Sequence, residues 1–128
     1  MRIEHIAFMV AEPLLAAKWY EENLGLRVVR AQLVSPFMHF LADDQGRTVV
    51  EIYNNPLTTV PDYSKVHPLH FHVALSSSDV KADRARLVKA GATVEGEPTL
   101  TPGGDVLAFL RDPWGVPLQL VQRAVPLV

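Results

Sequence analysis

The feature that most constrains this chain is an internal repeat. "HIAFMVAEP" aligns with "HVALSSSDV", which puts His5 over His72 at an offset of 67. "NLGLRVV" lies over "KAGATVE", with Gly25 over Gly91 at an offset of 66. "VVEIYNN" lies over "PLQLVQR", with Glu51 over Gln119 at an offset of 68. Self-similarity at a nearly constant period means one supersecondary unit used twice. A drift of two residues is what hairpins of unequal length produce.

The repeated unit can be read from periodicity. "IEHIAFMV" alternates as a strand, and "EPLLAAKWYEENLG" follows as a helix whose apolar faces come from Leu14, Leu15, Ala17, Trp19 and Leu24, stopped at Gly25. "LRVVRAQLV", "FMHFLAD" and "TVVEIYN" are three strand-like runs, the last two joined by the turn "DDQG". The second half repeats the order. "LHFHVAL" is a strand, "SSDVKADRARLVKAG" a helix capped by Ser or Asp and stopped at Gly91, and "TVEGEPTL", "VLAFLRD" and "VPLQLVQ" are strands separated by "TPGGD" and "RDPWG". The expectation is an α+β chain of two βαβββ modules, residues 1–56 and 69–125. They are joined by a Pro-rich linker without periodicity at 57–68.

Composition limits what such a chain can do. With 128 residues it can bury roughly two thirds of its unfolded surface. A hydrophobic content of 48%, a charged content of 20% and a net charge of -2 are those of an ordinary globular protein. No long basic run points to nucleic acid. There is no cysteine, so any metal must rest on histidine, carboxylate or amide ligands. The N-terminus lacks the apolar core of a signal peptide, and no apolar run approaches the ~20 residues of a membrane span. A cytoplasmic location is the expectation.

His5, Glu51, His72 and Gln119 are polar residues inside runs that otherwise read as buried. Any one alone is equally well explained as the solvent face of an alternating strand. As two pairs related by the repeat, they converge near a pseudo-twofold axis if the halves pack symmetrically. Two imidazoles, a carboxylate and an amide oxygen would then suit one divalent ion: zinc, nickel, iron, manganese or cobalt. The stretch "HPLHFHVAL" raises a choice, because it holds three of the five histidines. The repeat selects His72. His70, two residues earlier on the same expected strand face, is a candidate neighbour of the site or a rim group, and His67 is assigned no role. His39 shares strand spacing with Phe37 and Leu41, and Tyr53 follows Glu51 by two residues. Both are candidates to touch substrate, and both are also explained by packing.

These motifs resemble the vicinal oxygen chelate superfamily, which includes glyoxalase I, methylmalonyl-CoA epimerase, extradiol dioxygenases, fosfomycin-resistance enzymes and bleomycin-binding proteins. "HIAFMV", "WYEENLGLRVV", "VVEIYNN", "HVALSSSDV…LVKAGATV" and "FLRDPWGVPLQLVQ" carry the likeness along nearly the whole chain. The resemblance implies a U-shaped mixed sheet around a metal cavity, commonly in a homodimer. It also implies His5, Glu51, His72 and Gln119 as the ligand set, with Gln119 where glutamate is commoner.

The shared chemistry of that superfamily is binding of two adjacent substrate oxygens and stabilisation of an enolate-like anion. In glyoxalase-type members a carboxylate takes the proton alpha to the carbonyl. Here that role falls to Glu51, because Gln119 is an amide and cannot act as a base. The expectation is therefore a glyoxalase-like, metal-dependent enzyme of lyase or isomerase type. One carboxylate fewer leaves the set about one charge more positive, which favours an anionic small-molecule substrate. Met9 stands where the resemblance places an arginine that holds glutathione, which argues against glutathione specifically. Two alternatives stay open: a metal-free protein that sequesters a small molecule such as an antibiotic, and an Fe(II) extradiol-type dioxygenase built on His5, His72 and Glu51.

Overall fold

A computed structural model describes residues 1–128, which divide into two compact units, 1–61 and 62–128. The boundary falls inside the stretch 57–68. In the first unit, β1 (Ile6–Met9) leads into α1 (Pro13–Leu24), followed by β2 (Arg27–Ala31), β3 (His39–Ala42) and β4 (Thr48–Tyr53). The second unit begins with a single 3-10 turn at Tyr63–Lys65. It continues with β5 (Val73–Ser76), α2 (Val80–Lys89), β6 (Thr93–Leu100), β7 (Val106–Arg111) and β8 (Pro117–Gln122). Each unit folds its four strands into one mixed sheet, ordered β1-β4-β3-β2 in the first and β5-β8-β7-β6 in the second. The first strand pairs parallel with the last in both sheets, and the remaining pairs are antiparallel. The repeat read from sequence is thus a repeat of topology.

α1 forms because Pro13 occupies its first turn, where the missing N–H costs nothing, and Gly25 closes it in the left-handed region at φ 71°. Its buried stripe is Pro13, Ala16, Ala17, Trp19 and Tyr20. This corrects the expected face, since Leu14 and Leu15 lie 57% and 51% exposed. Small Ala16 and Ala17 let the helix approach the sheet, and Tyr20 is sealed there with its ring 6.3 Å from that of Phe8. α2 is capped by the Asp79 carboxylate, which accepts from the Ala82 N–H at 2.9 Å, and is anchored by Val80 and Leu87.

Alternation along the strands separates two faces. In the first sheet Phe8, Leu41, Val50 and Ile52 form the buried face, while Ala7, Phe40 and Glu51 stand on the other. In the second sheet Ala108, Leu110, Leu118 and Leu120 are the buried counterparts, and Phe109 and Gln119 stand opposite.

The turns repeat as well. Oδ1 of Asp43 accepts the N–H of Gln45 at 3.0 Å and of Arg47 at 2.8 Å, and Oδ1 of Asp112 accepts those of Trp114 and Val116, both at 2.9 Å. Gly46 and Gly115 supply the left-handed residue, at φ 79° and 85°. Arg111 and Asp112 shape their turn. The Arg111 guanidinium donates to the Tyr63, Gly115 and Val66 carbonyls at 2.6, 3.2 and 3.1 Å and pairs with Glu95, which ties the 3-10 turn to the sheet.

The run "LHFHVAL" departs from expectation. Pro68, Leu69 and His70 form a turn closed by a 2.8 Å bond from the His70 N–H to the His67 carbonyl, so β5 starts only at Val73.

Candidate functional site

Strand register assembles the site in each unit from one row of residues. In the first sheet Ala7 pairs with Glu51, Glu51 with Phe40, and Phe40 with Arg30. In the second, Ala74 pairs with Gln119, Gln119 with Phe109, and Phe109 with Glu95. Directly paired residues share a face. A histidine stands two residues ahead of each row's alanine: His5 before β1 and His72 before β5.

The two histidines are held alike. The His5 ring meets Phe40 edge to face, centroids 5.3 Å apart at 87°, and the His72 ring meets Phe109 at 5.3 Å and 78°. Nδ1 of His72 donates to the Pro68 carbonyl at 2.7 Å, which leaves the lone pair on Nε2. Nδ1 of His5 is bonded to the Glu4 carboxylate, and Nε2 lies 3.1 Å from Oε2 of Glu51. An oxygen acceptor on one ring nitrogen fixes the tautomer and raises the basicity of the other, the arrangement that supports a metal-ligating imidazole. The His5 pKa is held above its ordinary value, first by the Glu4 hydrogen bond and then by the charges of Glu4 and Glu51, with burial opposing.

The donor types fit a divalent ion. Neither unit by itself gathers three histidine, aspartate or glutamate side chains into a metal-holding group. The first unit carries one imidazole beside a carboxylate, His5 and Glu51, and the second one imidazole on the face of an amide, His72 and Gln119.

The other candidates separate. Tyr53, across from Met9 on the face of Glu51, is half-buried. His39 faces the other way: it pairs with Ile52 and is only 2% exposed, with Nδ1 bonded to the Phe37 carbonyl at 2.7 Å. It therefore belongs to the buried face rather than to the face of Glu51, because the strand pleat puts it out of phase with Phe40. His70 sits exposed in its turn beside the His67 ring, 5.7 Å away, and not on a strand face shared with His72. Met9 is 6% exposed and offers no charge to a ligand.

Phe40 and Phe109 went unremarked in the sequence. The signal was there in "FLAD" and "FLRD", which carry each phenylalanine three residues before its turn aspartate, at an offset of 69.

Comparison with known proteins agrees with this architecture. The chain is 27% identical to the uncharacterized protein YwbC of Bacillus subtilis over 127 residues, covering 95% of this chain and 98% of that one. It is 25% identical to the lactoylglutathione lyase of Haemophilus influenzae over 127 residues, covering 96% and 93%. Among solved structures, the trypanothione-dependent glyoxalase I of Leishmania major aligns with a TM-score of 0.70 at 26% identity, covering 95% of this chain and 86% of that one. Residues 2–120 match the Glyoxalase/Bleomycin resistance protein/Dioxygenase superfamily, and the chain belongs to it.

Proposed function

We propose that this protein is a glyoxalase-like metal-dependent enzyme of lyase or isomerase type that acts on a small molecule with two adjacent oxygens. The observation that carries the reading is the duplicated row: an imidazole packed on a phenylalanine beside a carboxylate in one unit and beside an amide in the other. His5, Glu51, His72 and Gln119 would hold the ion, which when bound polarises the substrate oxygens and stabilises an anion forming on them. Glu51 is the base that takes the proton alpha to the carbonyl; its carboxylate lies 3.1 Å from Nε2 of His5, the nitrogen that would bind the ion. Gln119 binds without titrating. Phe40 and Phe109 hold the imidazole planes and shield the reacting face from water. Tyr53 is proposed to contact substrate. His39, on the buried face of its sheet, and His70, exposed in its turn, lie off the strand face of Glu51.

A lyase acting on glutathione adducts is not proposed, because Met9 leaves a glutathione carboxylate without an arginine. No helix is long and apolar enough to cross a membrane. A cytoplasmic homodimer completes the reading, with light scattering as the check on its mass.

The test is metal content. Protein prepared without a metal-binding tag and incubated with Ni²⁺, Zn²⁺, Mn²⁺ or Fe²⁺ is expected to hold near one equivalent per chain by elemental analysis. His72→Ala should lose it and His70→Ala should keep it. Wild-type protein that stays empty with every ion would overturn the enzyme reading and leave metal-free sequestration of a small molecule as the account.

A further inference from the structure

The repeat that places an acid or amide beside each histidine also places a charged residue at the far end of each row. In the second unit that residue is Glu95, which is paired with the Arg111 guanidinium. Its counterpart is Arg30, across from Phe40 on β2. Arg30 is exposed, and no carboxylate of the unit pairs with it. The five arginine–acid pairs of the chain use Arg47, Arg84, Arg86, Arg111 and Arg123, and none uses Arg30.

Arg30 also borders a cavity of about 370 Å³ whose other walls are Glu4, His5, Val29, Phe40 and Thr48. Val29 and Arg30 both reach it because the β2–β3 register shifts between Val28 and Arg30. A bulge of this kind re-aims side chains beside a site. The acid in the cavity wall, Glu4, is bound to Nδ1 of His5. A second cavity shares Glu4 and Thr48 with the first and adds Arg2 and Arg47, the latter paired with Asp43 at 3.3 Å.

We infer that Arg30 is an anion subsite beside the His5–Glu51 pair, and that the substrate carries, besides its chelating oxygens, a second carboxylate that Arg30 and the Thr48 hydroxyl receive. A guanidinium presents a planar fork that matches a carboxylate with two parallel hydrogen bonds. Phe40 lies between the two ends of the row, so the segment joining the substrate's two polar ends crosses an aromatic ring and is short and apolar. The inference rests on the proposed metal reading and names the substrate class for that same site: a small dicarboxylic oxo or hydroxy acid.

The experiment compares pyruvate with 2-oxoglutarate on metal-loaded protein by titration calorimetry, in wild type, Arg30→Gln and Arg30→Lys. Wild type should prefer the dicarboxylate by about tenfold, the low end for charge-assisted hydrogen bonds at a partly exposed site. Arg30→Gln should erase the preference while pyruvate affinity and metal content stay as in wild type. Arg30→Lys should keep part of it. Equal affinities in wild type, or a preference that survives in Arg30→Gln, would overturn the subsite.

If elemental analysis shows that no metal binds, the metal reading fails separately. The subsite is then judged on the metal-free protein with malonate, followed by amide shifts of Val29, Phe40 and Thr48. Shifts that saturate in wild type and vanish in Arg30→Gln support it, and their absence in wild type overturns it.

Discussion

His39 and His72 each give Nδ1 to a backbone carbonyl at 2.7 Å, yet only His72 stands against Phe109, on the face of Gln119. The bond each ring makes is alike, and the face of the strand decides what the other nitrogen meets. Residue-scale chemistry elsewhere is more local. Asp83, in the first turn of α2, accepts from the Ser77 hydroxyl at 2.7 Å and from Arg86 at 2.9 Å. Its pKa lies below the ordinary carboxylate value, first through the Ser77 bond and then through the Arg86 bond and charge, with burial opposing. A carboxylate depressed in the folded state stabilises it fully above the unfolded-state pKa, and that stability is lost as pH falls through the folded value. Asp83→Asn should therefore be less stable than wild type at pH 7 by about 1 kcal/mol. The gap in urea midpoint should close as pH drops below about 4. A gap unchanged at pH 3 would show that the carboxylate's charge contributes nothing.

The paired turns allow a comparison at the scale of an element. Asp43 and Asp112 make the same two bonds to N–H groups two and four residues ahead, but Asp112 is 3% exposed whereas the Asp43 side chain is 23% exposed. Water can replace a lost acceptor only where it can enter. Asp112→Ala leaves one buried donor, the Val116 N–H, and one part-buried donor, the Trp114 N–H, unmet and should cost about 2–3 kcal/mol by chemical denaturation. Asp43→Ala should cost clearly less, and equal losses would show that turn geometry rather than burial sets the penalty. Helix positions were legible because Pro13, Gly25 and Asp79 are start and stop signals that act within a few residues. The face of α1 was not. Leu14 and Leu15 are more hydrophobic than Ala16 and Ala17, but the sheet selects the small side chains that allow close approach.

For the whole molecule, the two units carry one topology with different charge. The second row holds an amide at Gln119 where the first holds the Glu51 carboxylate, and an ion-paired acid at Glu95 where the first holds Arg30. On the proposed reading this asymmetry sets the preference for anions. Gln119→Glu should tighten metal binding by at least about tenfold, roughly 1.4 kcal/mol, in competition with a chelator. It should weaken binding of the dicarboxylate through added like charge. Tighter substrate binding in Gln119→Glu would refute the charge argument.

Sequence by itself determined the number of modules, their element order, and the pairing of His5 with His72 and Glu51 with Gln119. All of these are carried by period, offset and short-range turn chemistry. Tertiary structure alone decided that His39 turns to the buried face, that "HPLHFH" bends before β5 begins, and that Arg30 ends the row that Glu51 occupies. The physical reason is common to all three. A strand's side chains alternate, so a shift of one residue in where pairing starts or bulges moves every group to the opposite face, and that start is set by partners distant in the chain.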